Sequence, residues 1–182
     1  FNGAGLTLAA GGGGANVTGA ATATGAASVT ATGVLTIQSL TADTLLLRGS
    51  DLSLAQLLQA THACASGCTT PTLTIGNTQG GLNLGDGVSG AGAMNISAAE
   101  LSAMKGGLVD LYAGDPANAA IRGNLTVGNA TLDGTRIGTL ELLAGTNYGA
   151  TLSGVMAPGA AAGGNLVVGS ADASTGWTPK AV

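Results

Sequence analysis

The densest chemistry in this chain lies in His62-Ala63-Cys64-Ala65-Ser66-Gly67-Cys68, which holds its single histidine and both its cysteines. Two thiols this close would, in an oxidising compartment, most simply close a local disulfide, Cys64 to Cys68, stapling a loop ahead of Pro71. A zinc site built on His62, Cys64 and Cys68 lacks a fourth ligand at a characteristic spacing. Haem attachment would need Cys-x-x-Cys-His, which is absent. The only other dense group of charges is Asp110, Arg122, Asp133, Arg136 and Glu141. Carbohydrate-cleaving enzymes set two acids, or an acid and a base, around a glycosidic bond. Surface pairing of opposite charges explains this set more cheaply, so no catalytic residue and no cofactor is assigned. The seven aspartates, Asp86 among them, stand singly along the chain. Gly80-Gly81-Leu82-Asn83-Leu84-Gly85-Asp86 misses the tandem spacing of calcium-binding rolls, and turn roles account for most of the seven. Asn16, Asn95, Asn124 and Asn129 head Asn-x-Ser/Thr sequons. Thr22-Ala23-Thr24 and Thr30-Ala31-Thr32 would suit an ice-binding array, but later segments do not continue it, and the strand propensity of threonine covers both.

What must position these residues is a set of very short strands. Leu73-Thr74-Ile75, Leu82-Asn83-Leu84 and Met94-Asn95-Ile96 share an apolar, polar, apolar order, with Gly and Asn between them. Alternation puts the outer two side chains on one face and the middle one on the other. A strand this short buries too little alone, so copies must stack, which is the signature of a solenoid. Composition agrees. Charged residues are 8% of the 182 and aromatics 2%, so self-repulsion cannot hold the chain open, and a thin interior of Leu, Val, Ile and Ala suits the supply. A net charge of −4 with five basic residues removes the electrostatic footprint of nucleic-acid or anionic-membrane binding. No apolar run is long enough to span a membrane. The chain opens at Phe1 without Met, which reads as a processed chain or a piece of a longer one.

Three regions follow. Residues 1–33, rich in Gly, Ala and Thr, read as narrow terminal coils packed with alanine, with a Gly/Ala linker as the alternative reading. Residues 34–170 carry the solenoid repeats. Residues 171–182 hold Trp177 and Pro179 without a strand triplet, and read as a tail in which Trp177 caps the stack or touches a further subunit. Within the repeats, Leu54, Leu57 and Leu58 take helical spacing after Ser53 with Gln56 three residues on, a capping box. Ser97 with Glu100 repeats the device. Short helical turns are therefore expected at both places. Leu35-Thr36-Ile37 and Leu73-Thr74-Ile75 match each other, which predicts repeats of about 40 residues, each covering about two coils. Leu125-Thr126-Val127-Gly128-Asn129 repeats Leu73-Thr74-Ile75-Gly76-Asn77 almost letter for letter.

At Met94-Asn95-Ile96-Ser97-Ala98-Ala99-Glu100-Leu101, and at the Leu-Thr-Val-Gly-Asn and Leu-Thr-Ile-Gly-Asn strands, the chain resembles the repeat region of filamentous-haemagglutinin-like exoproteins of bacterial two-partner secretion systems. The resemblance implies an all-β fold, a right-handed parallel β-helix, with short helical turns at coil corners. It further implies export through an outer-membrane transporter and an extracellular or cell-surface role in adhesion, biofilm or fibres. The family's Asn-Pro-Asn motifs are absent, which marks this stretch as passenger rather than targeting region. The expected function is non-enzymatic: a surface adhesin segment, or the unit of a fibre that grows by end-to-end self-association. Carbohydrate binding or cleavage on a lateral face is the alternative.

Overall fold

A computed structural model describes residues 1–62, 72–145, 147–159, 164–172 and 178–181. In chain order the strands are β1 (Asn2–Gly3), β2 (Leu6–Ala10), β3 (Ala15–Ala23), β4 (Ala27–Ala31), β5 (Val34–Ala42), β6 (Leu45–Gly49), β7 (Asp51–Ala60), β8 (Leu73–Asn77), β9 (Leu82–Leu84) and β10 (Met94–Ile96). After the helix α1 (Ala98–Ala103) come β11 (Met104–Tyr112), β12 (Gly114–Asp115), β13 (Asn118–Arg122), β14 (Leu125–Val127), β15 (Ala130–Leu132), β16 (Ile137–Gly145), β17 (Ala150–Leu152), β18 (Met156–Pro158), β19 (Asn165–Asp172) and β20 (Thr178–Ala181). The fold is all-β, and its mostly parallel main sheet nearly closes into a barrel-like shape.

Register shows how the sequence builds this. Along one row, Ala27 lies beside Leu45, Leu45 beside Leu73, Leu73 beside Val109, and Leu140 beside both Val109 and Leu166. The column two residues on is Val29, Leu47, Ile75, Leu111, Leu142 and Val168. A second row stacks Val17, Ile37 and Leu54, and then Ala21, Leu40, Leu58 and Met104. Aliphatic side chains thus rest on aliphatic side chains of the neighbouring strand, and most form one continuous buried cluster. Parallel strands joined by crossovers must be covered on the inward face, and the opposite row does this. Where the chain offers alanine, as at Ala15, Ala21, Ala23, Ala27 and Ala31, the two rows still bury one another. Residues 1–33 accordingly form β1 to β4.

Two coils per roughly 40 residues agrees with the early spacing, where Ala15 pairs with Leu35 and Leu35 with Leu52, but not with the later one, and the look-alike triplets do not mark the repeat. Leu35 pairs with Leu52 in one row and Leu73 with Leu45 in the other, so the two look-alike triplets never stack. Successive parallel pairings bring Ala27 to Leu45 in 18 residues and Leu73 to Val109 in 36. The longer circuit carries β9, β10 and α1. Likewise Leu125 pairs with Leu82 and Ala150, not with Leu73. The repeated letters mark a recurring need, a short strand ended by a tight corner, rather than a recurring place. One such corner is steric: a Cβ on Gly123 would strike the backbone N of Gly81. The segment read as a strandless tail contributes the end of β19 and the antiparallel β20.

Candidate functional site

The lateral face of the second row carries a local departure from regular pairing. Val17 and Ala20 of β3 stand beside Ile37 and Ser39 of β5, and so do Leu54 and Leu57 of β7. Both neighbours of β5 therefore carry one residue more than β5 over the same stretch. A bulge bends its strand and breaks its ladder, and here two bulges flank Gln38. Gly19 supplies the left-handed backbone on one side, with φ of 76°, and donates its N–H to Gln38 Oε1 at 2.8 Å. The result is a trough of about 360 Å³ lined by Asn16, Thr18, Thr36, Gln38, Ser53 and Gln56, among others.

This geometry corrects the helix expected at Ser53. Ser53 and Gln56 lie in the strand β7, and neither caps a helix. The extra residue in β7 is what gave Leu54, Leu57 and Leu58 their helical spacing. Pairing with β5 along the strand, with Leu52, Leu54, Leu58 and Ala60 buried, outweighs the small gain of a one-turn capped helix.

The second capping box does form. Ser97 Oγ accepts from the Glu100 N–H at 3.2 Å, and Glu100 Oε2 accepts from the Ser97 N–H at 2.9 Å. Sequence did not foretell the second task of Glu100: its Oε1 accepts the N–H of Leu54 at 3.0 Å. β11 pairs with β7 only at Leu58 and Gln59, so the earlier part of β7 needs another partner. Asp51 Oδ1 helps there by accepting from Asn95 N–H at 2.7 Å. Two carboxylates thus stand in for a missing strand. Glu100→Ala leaves the Ser97 cap in place but removes the reciprocal half of the box and strips the partly buried Leu54 N–H of its acceptor, and is expected to cost about 1–3 kcal/mol in urea unfolding, with faster hydrogen exchange at the Leu54 amide.

The charged group of five residues divides. Arg136 donates to Met104 O and Arg122 to Ala119 O. Asp133 accepts from Thr135 N–H and Oγ1 in a turn, which holds its carboxyl below the usual range. Asp110 and Glu141 remain, directly opposite on β11 and β16. The expected pairing of opposite charges is replaced here by two acids side by side. Asp110 is 2% exposed, its Oδ1 has no donor, and its Oδ2 accepts from Tyr112 OH at 3.2 Å. Burial, and then the adjacent Glu141, push the Asp110 carboxyl up to about 7, and burial raises the Tyr112 phenol as well. At that depth Asp110 cannot reach a polysaccharide. A bidentate ion pair joins residues the sequence did not connect: Arg48 grips Asp115 with Nε to Oδ1 at 2.7 Å and Nη2 to Oδ2 at 2.6 Å.

His62 Nδ1 lies 3.5 Å from Asp43 Oδ1, with both side chains about half exposed. Cys64, Cys68 and Trp177 fall outside the described residues. Asp86 accepts the Ala98 N–H, and among the described residues no cluster of three His, Cys, Asp or Glu could hold a metal ion. Of the sequon asparagines, Asn16, Asn124 and Asn129 are exposed. Asn124 and Asn129 accept backbone N–H groups of the next circuit, each at 3.0 Å, and Asn95 Oδ1 accepts from Asn83 Nδ2 at 2.9 Å. Comparison with family models, with curated proteins and with solved structures finds no match to this chain.

Proposed function

We propose that this chain is a right-handed parallel β-helix serving as a non-enzymatic extracellular scaffold, a rod used at the cell surface as an adhesin segment or fibre unit. The observation that carries the reading is the column register: circuit after circuit lays aliphatic on aliphatic with parallel backbone pairing. Such a stack gives length and stiffness and places few demands on outward side chains. Right-handedness follows from the general hand of parallel crossovers. The likeness of the Met94–Leu101 box to two-partner-secretion exoproteins supports export through an outer-membrane transporter. Among the described residues no helix is long and apolar enough to cross a membrane.

Self-association has a stereochemical basis. Among the described residues, β2 pairs only with β4, β17 only with β14 and β18 only with β15. Leu152 and Val155 are exposed beside the last two. Unpaired parallel strands with apolar neighbours are templates for a further strand, and head-to-tail contacts that do not close produce filaments. Negative-stain imaging of purified protein tests this. Long filaments of uniform width are expected of a fibre unit and isolated short rods of an adhesin segment. Compact round particles would overturn the rod.

A further inference from the structure

We propose that the trough around Gln38 is a binding site for a neutral oligosaccharide lying across β3, β5 and β7. Its lining offers uncharged donors and acceptors: the amides of Asn16, Gln38 and Gln56 and the hydroxyls of Thr18, Thr36 and Ser53. Among the described residues, the side chains of Asn16, Thr18, Thr36, Ser53 and Gln56 make no hydrogen bond within the protein. An ionic ligand would find no counter-charge in this lining, and because Val17, Ile37 and Ala55 line it beside the amides and hydroxyls, it suits a ligand that has both hydrogen-bonding groups and C–H faces. A polyhydroxyl chain both donates and accepts, and matches that inventory.

Two further features point to a binding site rather than ordinary polar surface. The paired bulges open a concavity at one level of an otherwise regular sheet, and bulges gather beside functional sites. The Gly19 N–H holds Gln38 Oε1, so the central amide is already oriented before any ligand arrives, which lowers the ordering cost of binding. Asn16, Thr36 and Ser53 share one rung column. Its repeat of about 4.8 Å is close to the length of one pyranose residue with its glycosidic oxygen. No aromatic ring lines the trough, so contact is through hydrogen bonds. Single-site affinity is therefore weak, and repeated copies in a fibre would raise it by avidity.

The test is saturation-transfer NMR and calorimetry of the purified chain with maltohexaose, cellohexaose and chitohexaose, against anionic polygalacturonate. At least one neutral hexaose is expected to bind. Thr36→Trp, which fills the trough from an exposed position, and Gln38→Ala should each weaken that binding by about tenfold or more, while circular dichroism shows the fold retained. Ser28→Ala, on the other row, should leave binding unchanged. Absence of binding at millimolar concentration, preference for polygalacturonate, or binding indifferent to both trough variants would each overturn the proposal. The filament images report separately on the scaffold, so either reading can fail without the other.

Discussion

Arg48→Ala is expected to be among the most damaging single substitutions in this chain, lowering unfolding free energy by about 3 kcal/mol. Arg48 on β6 reaches across the sheet to Asp115 at the start of the β12–β13 hairpin, and the Asp115 side chain is 3% exposed. Without the guanidinium, Asp115 keeps only the Ala117 N–H, at 2.9 Å, as donor. A buried carboxylate with one donor must ionise at a penalty or take up a proton. Arg48→Ala/Asp115→Asn should therefore be less destabilised than Arg48→Ala alone, because the stranded charge is gone. Urea unfolding of the wild type, both single variants and the double variant closes the cycle. Additive losses would mean that the bidentate pair contributes little.

Stability is expected to fall as pH rises through about 7, an unusual direction for an acidic chain. The native state raises the Asp110 carboxyl to about 7 from an ordinary value of 3.8. Between those values folded protein keeps a proton that unfolded protein releases, so the contribution is fully present below about pH 4 and is lost through about pH 7. The window is worth up to the order of 4 kcal/mol. Asp110→Asn keeps the shape and removes the charge. It should match wild type near pH 4 and exceed it near pH 8, flattening the profile. The flanking groups set the balance: Thr74 on one side is neutral and Glu141 on the other is acidic, while the Tyr112 hydroxyl, donating to Oδ2, opposes the rise without cancelling it. Parallel pH profiles for wild type and Asp110→Asn would contradict it.

Much of the strand layout was readable because period-two triplets of aliphatics admit few alternatives. Leu73-Thr74-Ile75, Leu82-Asn83-Leu84 and Met94-Asn95-Ile96 are all strands, and the local chemistry of Ser97 and Glu100 identified α1. The Ser53 and Gln56 reading failed because a β-bulge shifts apolar spacing as a helix does, and only pairing with β5 distinguishes the two. The look-alike triplets misled for a related reason: insertions between paired strands hide the true pairing, which depends on contacts between residues far apart in sequence. Asp110 with Glu141, and Arg48 with Asp115, were invisible for the same cause. The first pair is made by strand register and the second by a side-chain contact between β6 and the β12–β13 hairpin, and nothing within five residues of Asp110 marks it as the partner of an acid 31 positions on.

Register is also where the account is most open to direct test. Thr36 and Ser53 are exposed neighbours on parallel strands, at a separation suited to a disulfide after substitution. Mild oxidation of the Thr36→Cys/Ser53→Cys variant, followed by peptide mass mapping, should recover a cross-link between positions 36 and 53 in high yield and little between 36 and 59 in a Thr36→Cys/Gln59→Cys control. Equal yields, or a preference for position 59, would contradict parallel stacking and the scaffold built on it.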